Sequence, residues 1–299
     1  MGFKGGGRGI FREFLYGFVE SGYPALLAFT TKGDREPIPH VVPVLGHTLN
    51  SDSWFPTAFA QYGPQADKPY LSSMDWVGDF LVHDDNFGMH YCLPGHSFRP
   101  EDHPDPGEDF SPLYGLGIFP AERNVLSYSF WAQEMAHKEL RNLYLHIAGN
   151  KDLLKDNYYA EHLKRHYQPI SDRWSAVLRT ILVSKAQYIA HLSDQPDYDK
   201  STFVPDEIAH VKALLQGHEW VWLVEVSEPD LYVGNNSKVL DIIIDPFPAN
   251  ADAPTLMIRF PRFLLVRSPT GYEVRSRLKV SAHFPLFSFE KDRQPDTVW

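Results

Sequence analysis

The apolar residues of this chain fall into short runs separated by polar, turn-forming stretches, and that spacing sets its fold class. Segments 25–31 (ALLAFTT), 40–45 (HVVPVL) and 80–83 (FLVH) are apolar runs of strand length, bounded by Gly, Pro, Asp or Asn. Segments 174–183, 219–227 (EWVWLVEVS), 238–245, 255–267 and 272–283 alternate or run apolar in the same way. In 219–227 both alternating sets are apolar enough to predict a strand buried on two sides. Segment 10–21 carries Ile10, Phe14, Leu15, Phe18 and Val19 at helical spacing, and Gly22 followed by Pro24 stops it. Segments 129–147, 151–166, 185–192 and 205–216 also read as helices. The pattern predicts an α+β chain, divided into a β-rich unit over 1–118 and a mixed helical and antiparallel β unit over 119–299.

No run is long enough to span a bilayer, so no membrane partner is expected. The N-terminus, Met1 through Gly9, has no apolar core of a secretory signal. Gly5-Gly6-Gly7, with Lys4 and Arg8, lacks the preceding strand and terminal Lys-Ser/Thr pair of a phosphate loop and reads as a flexible tail. The length, 299 residues, suits one large or two medium domains. With 43% apolar and 22% charged residues, the chain is globular rather than disordered. Its net charge of -10 disfavours nucleic acid as a general partner. There is 1 cysteine, Cys92, which excludes an intrachain disulfide and a cysteine zinc site. A reducing, cytoplasmic setting fits these features.

The most informative stretch is 10–92. A helix leads through Gly22-Tyr23-Pro24 into one apolar strand. A second strand opens at His40 and runs His-Val-Val-Pro-Val-Leu to Gly46 and His47. A third, Phe80-Leu-Val-His83, ends in Asp84-Asp85-Asn86. This order resembles the second half of the papain-like fold, closest to the bacteriocin-processing type of cysteine peptidase and its bacterial relatives. The resemblance implies a papain-like antiparallel sheet over 1–118, with His40 as general base and Asp84 as the carboxylate that orients it. A histidine at the start of one strand and a carboxylate at the end of its neighbour meet across a sheet, and such an imidazole activates a thiol. The expected separation is that of a hydrogen bond, about 2.6–3.2 Å. Asp85 and Asn86 fill the role of Asp84 after a register shift, and His47 is a further accessory candidate. In the family the nucleophilic cysteine opens a helix well before the histidine. Here no cysteine precedes His40.

Two functions from different classes follow. One is a papain-like relative without turnover that binds a peptide or protein partner in the cleft. The other is an active cysteine hydrolase whose nucleophile is Cys92 or comes from a missing N-terminal segment. Cys92, in Met89-His-Tyr-Cys-Leu-Pro94, is otherwise a small filler thiol in a loop over 87–98. His40, His47, His83, His90, His96 and His103 cluster in the first part, but without the helical spacing of a metal site, so no metal or other cofactor is expected. The proline-rich stretch 94–112 reads as a loop. Arg259, Arg262, Arg267, Arg275, Arg277 and Lys279 make the last strands locally basic, as a solvated sheet face or a surface for an anionic partner.

Overall fold

The computed structural model describes residues 2–4, 8–31, 36, 38–49, 70–85, 88–98, 110–117, 129–149, 176–193, 205–229, 231–232, 237–260, 263–268, 271–277 and 286–287. A short strand β1 (Gly2–Lys4) precedes helix α1 (Arg8–Glu20). Phe11, Phe14, Leu15 and Phe18 recur at helical spacing and form one buried stripe of α1. The helix ends where expected. Gly22 takes φ 73°, and its N–H bonds to Val19 O while that of Tyr23 bonds to Phe18 O, the paired closure that glycine permits at low cost.

The stripe lies on an antiparallel sheet in the order β1-β7-β2-β3-β5-β6. Its strands are β2 (Ala25–Thr31), β3 (Ile38–Leu49), β5 (Val77–Asp84), β6 (Gly88–Pro94) and β7 (Phe110–Gly117), with β1 at one edge. The three runs expected at 25–31, 40–45 and 80–83 are therefore adjacent. Glycines on β7 let the helix approach. A Cβ at Gly117 would collide with the Phe18 ring, and one at Gly115 would stand 2.9 Å from Phe14.

The second sheet runs β14-β13-β12-β11-β9-β8-β4. Its strands are β4 (Leu71–Ser72), β8 (Val177–Ser184), β9 (Trp220–Ser227), β11 (Leu240–Ile244), β12 (Thr255–Arg259), β13 (Phe263–Ser268) and β14 (Gly271–Arg277). It is mixed, because β4 pairs parallel to β8 while the remaining pairs are antiparallel. Helix α2 (Ser129–Gly149) supplies Ala132, Ala136, Leu140 and Leu143 to the core on one face, with Trp222, Val224 and Ile242. Helices α3 (Lys185–Ser193) and α4 (Pro205–Leu214) cover the other, over Val221, Leu223 and Ile243. Strand β9 is thus buried on both sides, and the architecture is α+β. A two-residue pair, β10 (Ser237–Lys238) with β15 (Leu286–Phe287), lies beside it. Among the described residues no helix is long and apolar enough to cross a membrane.

Several boundaries differ from the sequence reading. Gly46 does not end β3; the strand absorbs it in a bulge and continues to Leu49. Lys4 and Arg8, read as part of a flexible tail, lie in β1, which pairs with Tyr114–Leu116, and in α1, while residues 5–7 lie outside the described residues. The expected loop at 87–98 is strand β6 followed by a turn of 3-10 helix at Gly95–Phe98, since β6 finds its ladder partners on β5. Likewise Phe110–Pro112, expected in the 94–112 loop, begin β7. Segment 238–245 splits into β10 and β11. Segment 255–267 splits into the hairpin β12–β13, with Pro261, which lacks a ladder N–H, between them in sequence. The helix expected at 151–166 lies outside the described residues. Gly117→Ala is expected to lower stability by about 1–3 kcal/mol through overpacking against Phe18. Urea unfolding reads the loss directly, and an unchanged midpoint would contradict the close approach.

Candidate functional site

The histidine and carboxylate picked out in the sequence come together. His40 lies on β3 and Asp84 ends the neighbouring β5. Val42 and Val44 share the face of His40, and Val82 shares that of Asp84, because alternate strand residues point the same way. All three valines belong to the core under α1, so the pair sits at the rim of that core face. His40 Nδ1 stands 3.8 Å from Asp84 Oδ2. That is an ion-pair separation, longer than the hydrogen bond expected. The imidazole lies flat against Phe29, its register partner on β2, with ring centroids 5.3 Å apart and planes 16° from parallel. Asp84 is buried and His40 half-buried, so the ring is fixed from two sides and open on a third.

The other candidates are dispersed. Asp85 is exposed in the turn after β5, and Asn86 is outside the described residues. Cys92 is exposed on β6 opposite Leu81, whereas Tyr91 pairs with Val82. Leu81 and Val82 face opposite ways, so Cys92 projects from the sheet face away from His40 and Asp84. The geometry therefore does not join Cys92 to the imidazole. Among the described residues no group of His, Cys, Asp and Glu is placed to hold a metal ion.

His47 faces the same side as His40, although seven residues separate them. The bulge between Val44 and Gly46 shifts the alternation by one and turns His47 toward α1. Its Nε2 is 2.6 Å from Glu20 Oε2, and its ring packs on Tyr16. Glu20 also accepts from Arg179 Nε on β8. Arg179 Nη1 donates to Glu225 Oε2 at 2.8 Å. Lys238 Nζ then bridges Glu225 at 2.6 Å and Asp241 at 2.7 Å, and Arg259 Nη1 lies 3.5 Å from Asp241. Arg179, Glu225, Asp241 and Arg259 stand in direct register across β8, β9, β11 and β12. With Lys238 between the two adjacent acids, the contacts from Glu20 to Arg259 form a buried chain of alternating charge.

Burial would raise the Glu20 carboxyl pKa, but Arg179 and the His47 hydrogen bond outweigh it and bring it from 4.5 to about 2. Burial pulls the Arg179 pKa down, and Glu20 and Glu225 more than reverse that. The same burial, with Glu20 nearby, pushes the Tyr16 hydroxyl well above its ordinary value. His191 on α3, buried near Lys238 and Arg259, is lowered to about 2 and stays neutral, so its Nε2 accepts from Lys238 Nζ at 3.4 Å.

Sequence reasoning missed this row. The signal was one charged residue inside each strongly apolar strand: VLRTILVS, WVWLVEVS, LDIII and TLMIR. Arg259 and Arg267, read as part of a basic surface, are paired inward with Asp241 and Glu139. Arg259, completely buried, is therefore not part of a solvated basic face, whereas the Arg267 side chain stays 30% exposed. Comparison with protein-family models, with curated proteins and with solved structures returned no match to the chain.

The depressed Glu20 value makes a pH prediction. A lowered folded-state pKa contributes stability that is complete above about 4.5 and is lost as pH falls through about 2. The urea midpoint of the wild type should fall between those values. Glu20→Gln should be less stable at neutral pH and show a shallower acid decline. Parallel profiles for the two proteins would contradict the assignment.

Proposed function

We propose that this chain is a papain-like relative that uses the His40–Asp84 pair to bind a peptide or protein partner and does not cleave peptides through Cys92. One observation carries the reading. The imidazole and carboxylate meet on the core face of the first sheet, while the only thiol in the sequence projects from the opposite face. A thiol protease needs its thiolate against the imidazole, usually where a helix dipole lowers the thiol pKa. Cys92 lies on an edge strand and has neither. An imidazole held by Phe29 and Asp84 still offers a directional polar contact to an extended backbone, in a rim otherwise lined by apolar core.

A second reading is an active hydrolase whose nucleophile comes from another segment. The half-open His40 ring, backed by a buried carboxylate, favours it, because that is the acceptor half of such a site.

Fluorescein-labelled unfolded casein distinguishes the two. Anisotropy should report binding that weakens about tenfold in His40→Ala and in Asp84→Asn, about the net worth of one hydrogen bond. Cys92→Ala should bind as the wild type does. No casein fragments should appear above the buffer blank. Cleavage abolished by both His40→Ala and Cys92→Ala would make the chain a peptidase and overturn the reading. Binding indifferent to His40 and Asp84 would overturn it as well.

A further inference from the structure

Three acids from three elements surround one unsatisfied hydroxyl. Tyr70, just before β4, is 4% exposed, and its Oη has no hydrogen-bond partner among the described residues. Buried hydroxyls are nearly always paired, because an unpaired one costs its full desolvation. Three contacts draw the surrounding elements together. Arg12 Nη2 on α1 donates to Met74 O and to Val77 O, each at 3.1 Å, in and just after the 3-10 turn Ser73–Trp76. Gln133 Nε2 on α2 donates to Ser72 Oγ at 3.3 Å, just before the same turn. One helical turn further along α2, the His137 ring packs on Tyr70 with centroids 5.5 Å apart. Each of these elements carries an acid beside its contact: Glu13 on α1, Asp75 in the turn and Glu134 on α2. The charges of all three act on the Tyr70 hydroxyl and, together with burial as the larger cause, push its pKa well above the ordinary value, so it keeps its proton. Glu134 is exposed and Glu13 and Asp75 are half-buried, so the cluster reaches solvent.

We propose that this cluster binds an organic ammonium group, a protonated primary amine that donates an N–H to Tyr70 Oη while Glu13, Asp75 and Glu134 balance its charge. A water molecule would pair the hydroxyl but leave the three acids uncompensated, whereas an ammonium does both with its three donors. A bare divalent ion needs oxygen ligands at about 2.0–2.6 Å. No group of acids and histidines among the described residues is placed to supply them. Hydrogen-bond and ion-pair separations are longer, and they suit carboxylates spread over three elements. His137 brings no competing charge at neutral pH, because burial and then Arg141 lower its pKa. Its ring and that of Tyr70 give the alkyl stem of the amine an apolar wall. This site stands apart from the His40–Asp84 rim and does not depend on it. A free diamine and the side chain of a partner's lysine present the same group.

Isothermal titration calorimetry of the full chain with n-butylammonium chloride, at neutral pH and fixed ionic strength, tests the proposal. Binding should saturate in the millimolar range. It should weaken about tenfold in Tyr70→Phe, which keeps the ring against His137 and removes only the hydroxyl, and about tenfold in Glu134→Gln. Glu134 is exposed on α2, so its variant keeps the test open if Tyr70→Phe misfolds by circular dichroism. Tetramethylammonium carries the charge without an N–H and should bind about tenfold more weakly than butylammonium. No saturable binding overturns the proposal, as does binding that both folded variants retain in full. Equal binding of tetramethylammonium removes the role of the hydroxyl and overturns it too. Magnesium chloride that displaces the amine at equal concentration would make this a metal site instead, a further contradiction. Titration of 1,4-diaminobutane and of Nα-acetyl-lysine methylamide separates the two sources. Tighter binding of the first supports a free polyamine and of the second a lysine side chain, each at the site proposed.

Discussion

A carboxylate removed from water must meet a cation, and Glu20 meets Arg179. This contact joins the last turn of α1 to the second sheet, while the phenylalanine stripe of the same helix lies on the first. Its neighbour Ser21 accepts from Leu182 N–H at 2.8 Å and donates to Gly17 O, so it occupies a ladder position on β8. Gly17 faces Ser129 at the start of α2, where a side chain would collide. One helix thus serves both sheets, apolar toward one and polar toward the other. Each ion in the row needs its neighbours, because an isolated buried charge costs several kcal/mol. Glu20, Glu225 and Asp241 are matched by Arg179, Lys238 and Arg259.

The rim site depends on that junction at one remove. Strand β3 carries His40 toward one end and His47 toward the other. The Glu20–His47 contact pins the far end of the strand to α1, and the stack on Phe29 fixes the near end. The bulge at Leu45–Gly46 makes both contacts available from one strand. Without it, His47 would face the apolar outer surface, and Glu20 would lose a partner.

Local signals carried much of this in the sequence. The α1 stripe, the Gly22 stop and the extended runs at 25–31, 40–45 and 80–83 rest on periodicity and turn residues, which act over a few positions, whereas the adjacency of those runs is expected only from the resemblance in their order. The meeting of His40 and Asp84 required only that β3 and β5 be neighbours. What escaped depends on register between distant segments. Arg179 and Glu225 pair across 46 residues, and no local pattern says which residue of one strand opposes which of another. A bulge is equally silent, since Gly46 reads as a stop as readily as a kink. Strand β6 was missed because it is exposed along most of its length and shows no alternation.

The buried Glu20–Arg179 pair couples the two sheets. A double-mutant cycle of Glu20→Gln and Arg179→Met, followed by urea unfolding at neutral pH, measures that coupling most directly. Each single variant should lose stability, and the double variant should lose less than their sum by about 1.5–3 kcal/mol. Losses that add within about 0.5 kcal/mol would mean that the pair acts as two independent residues, and would contradict it.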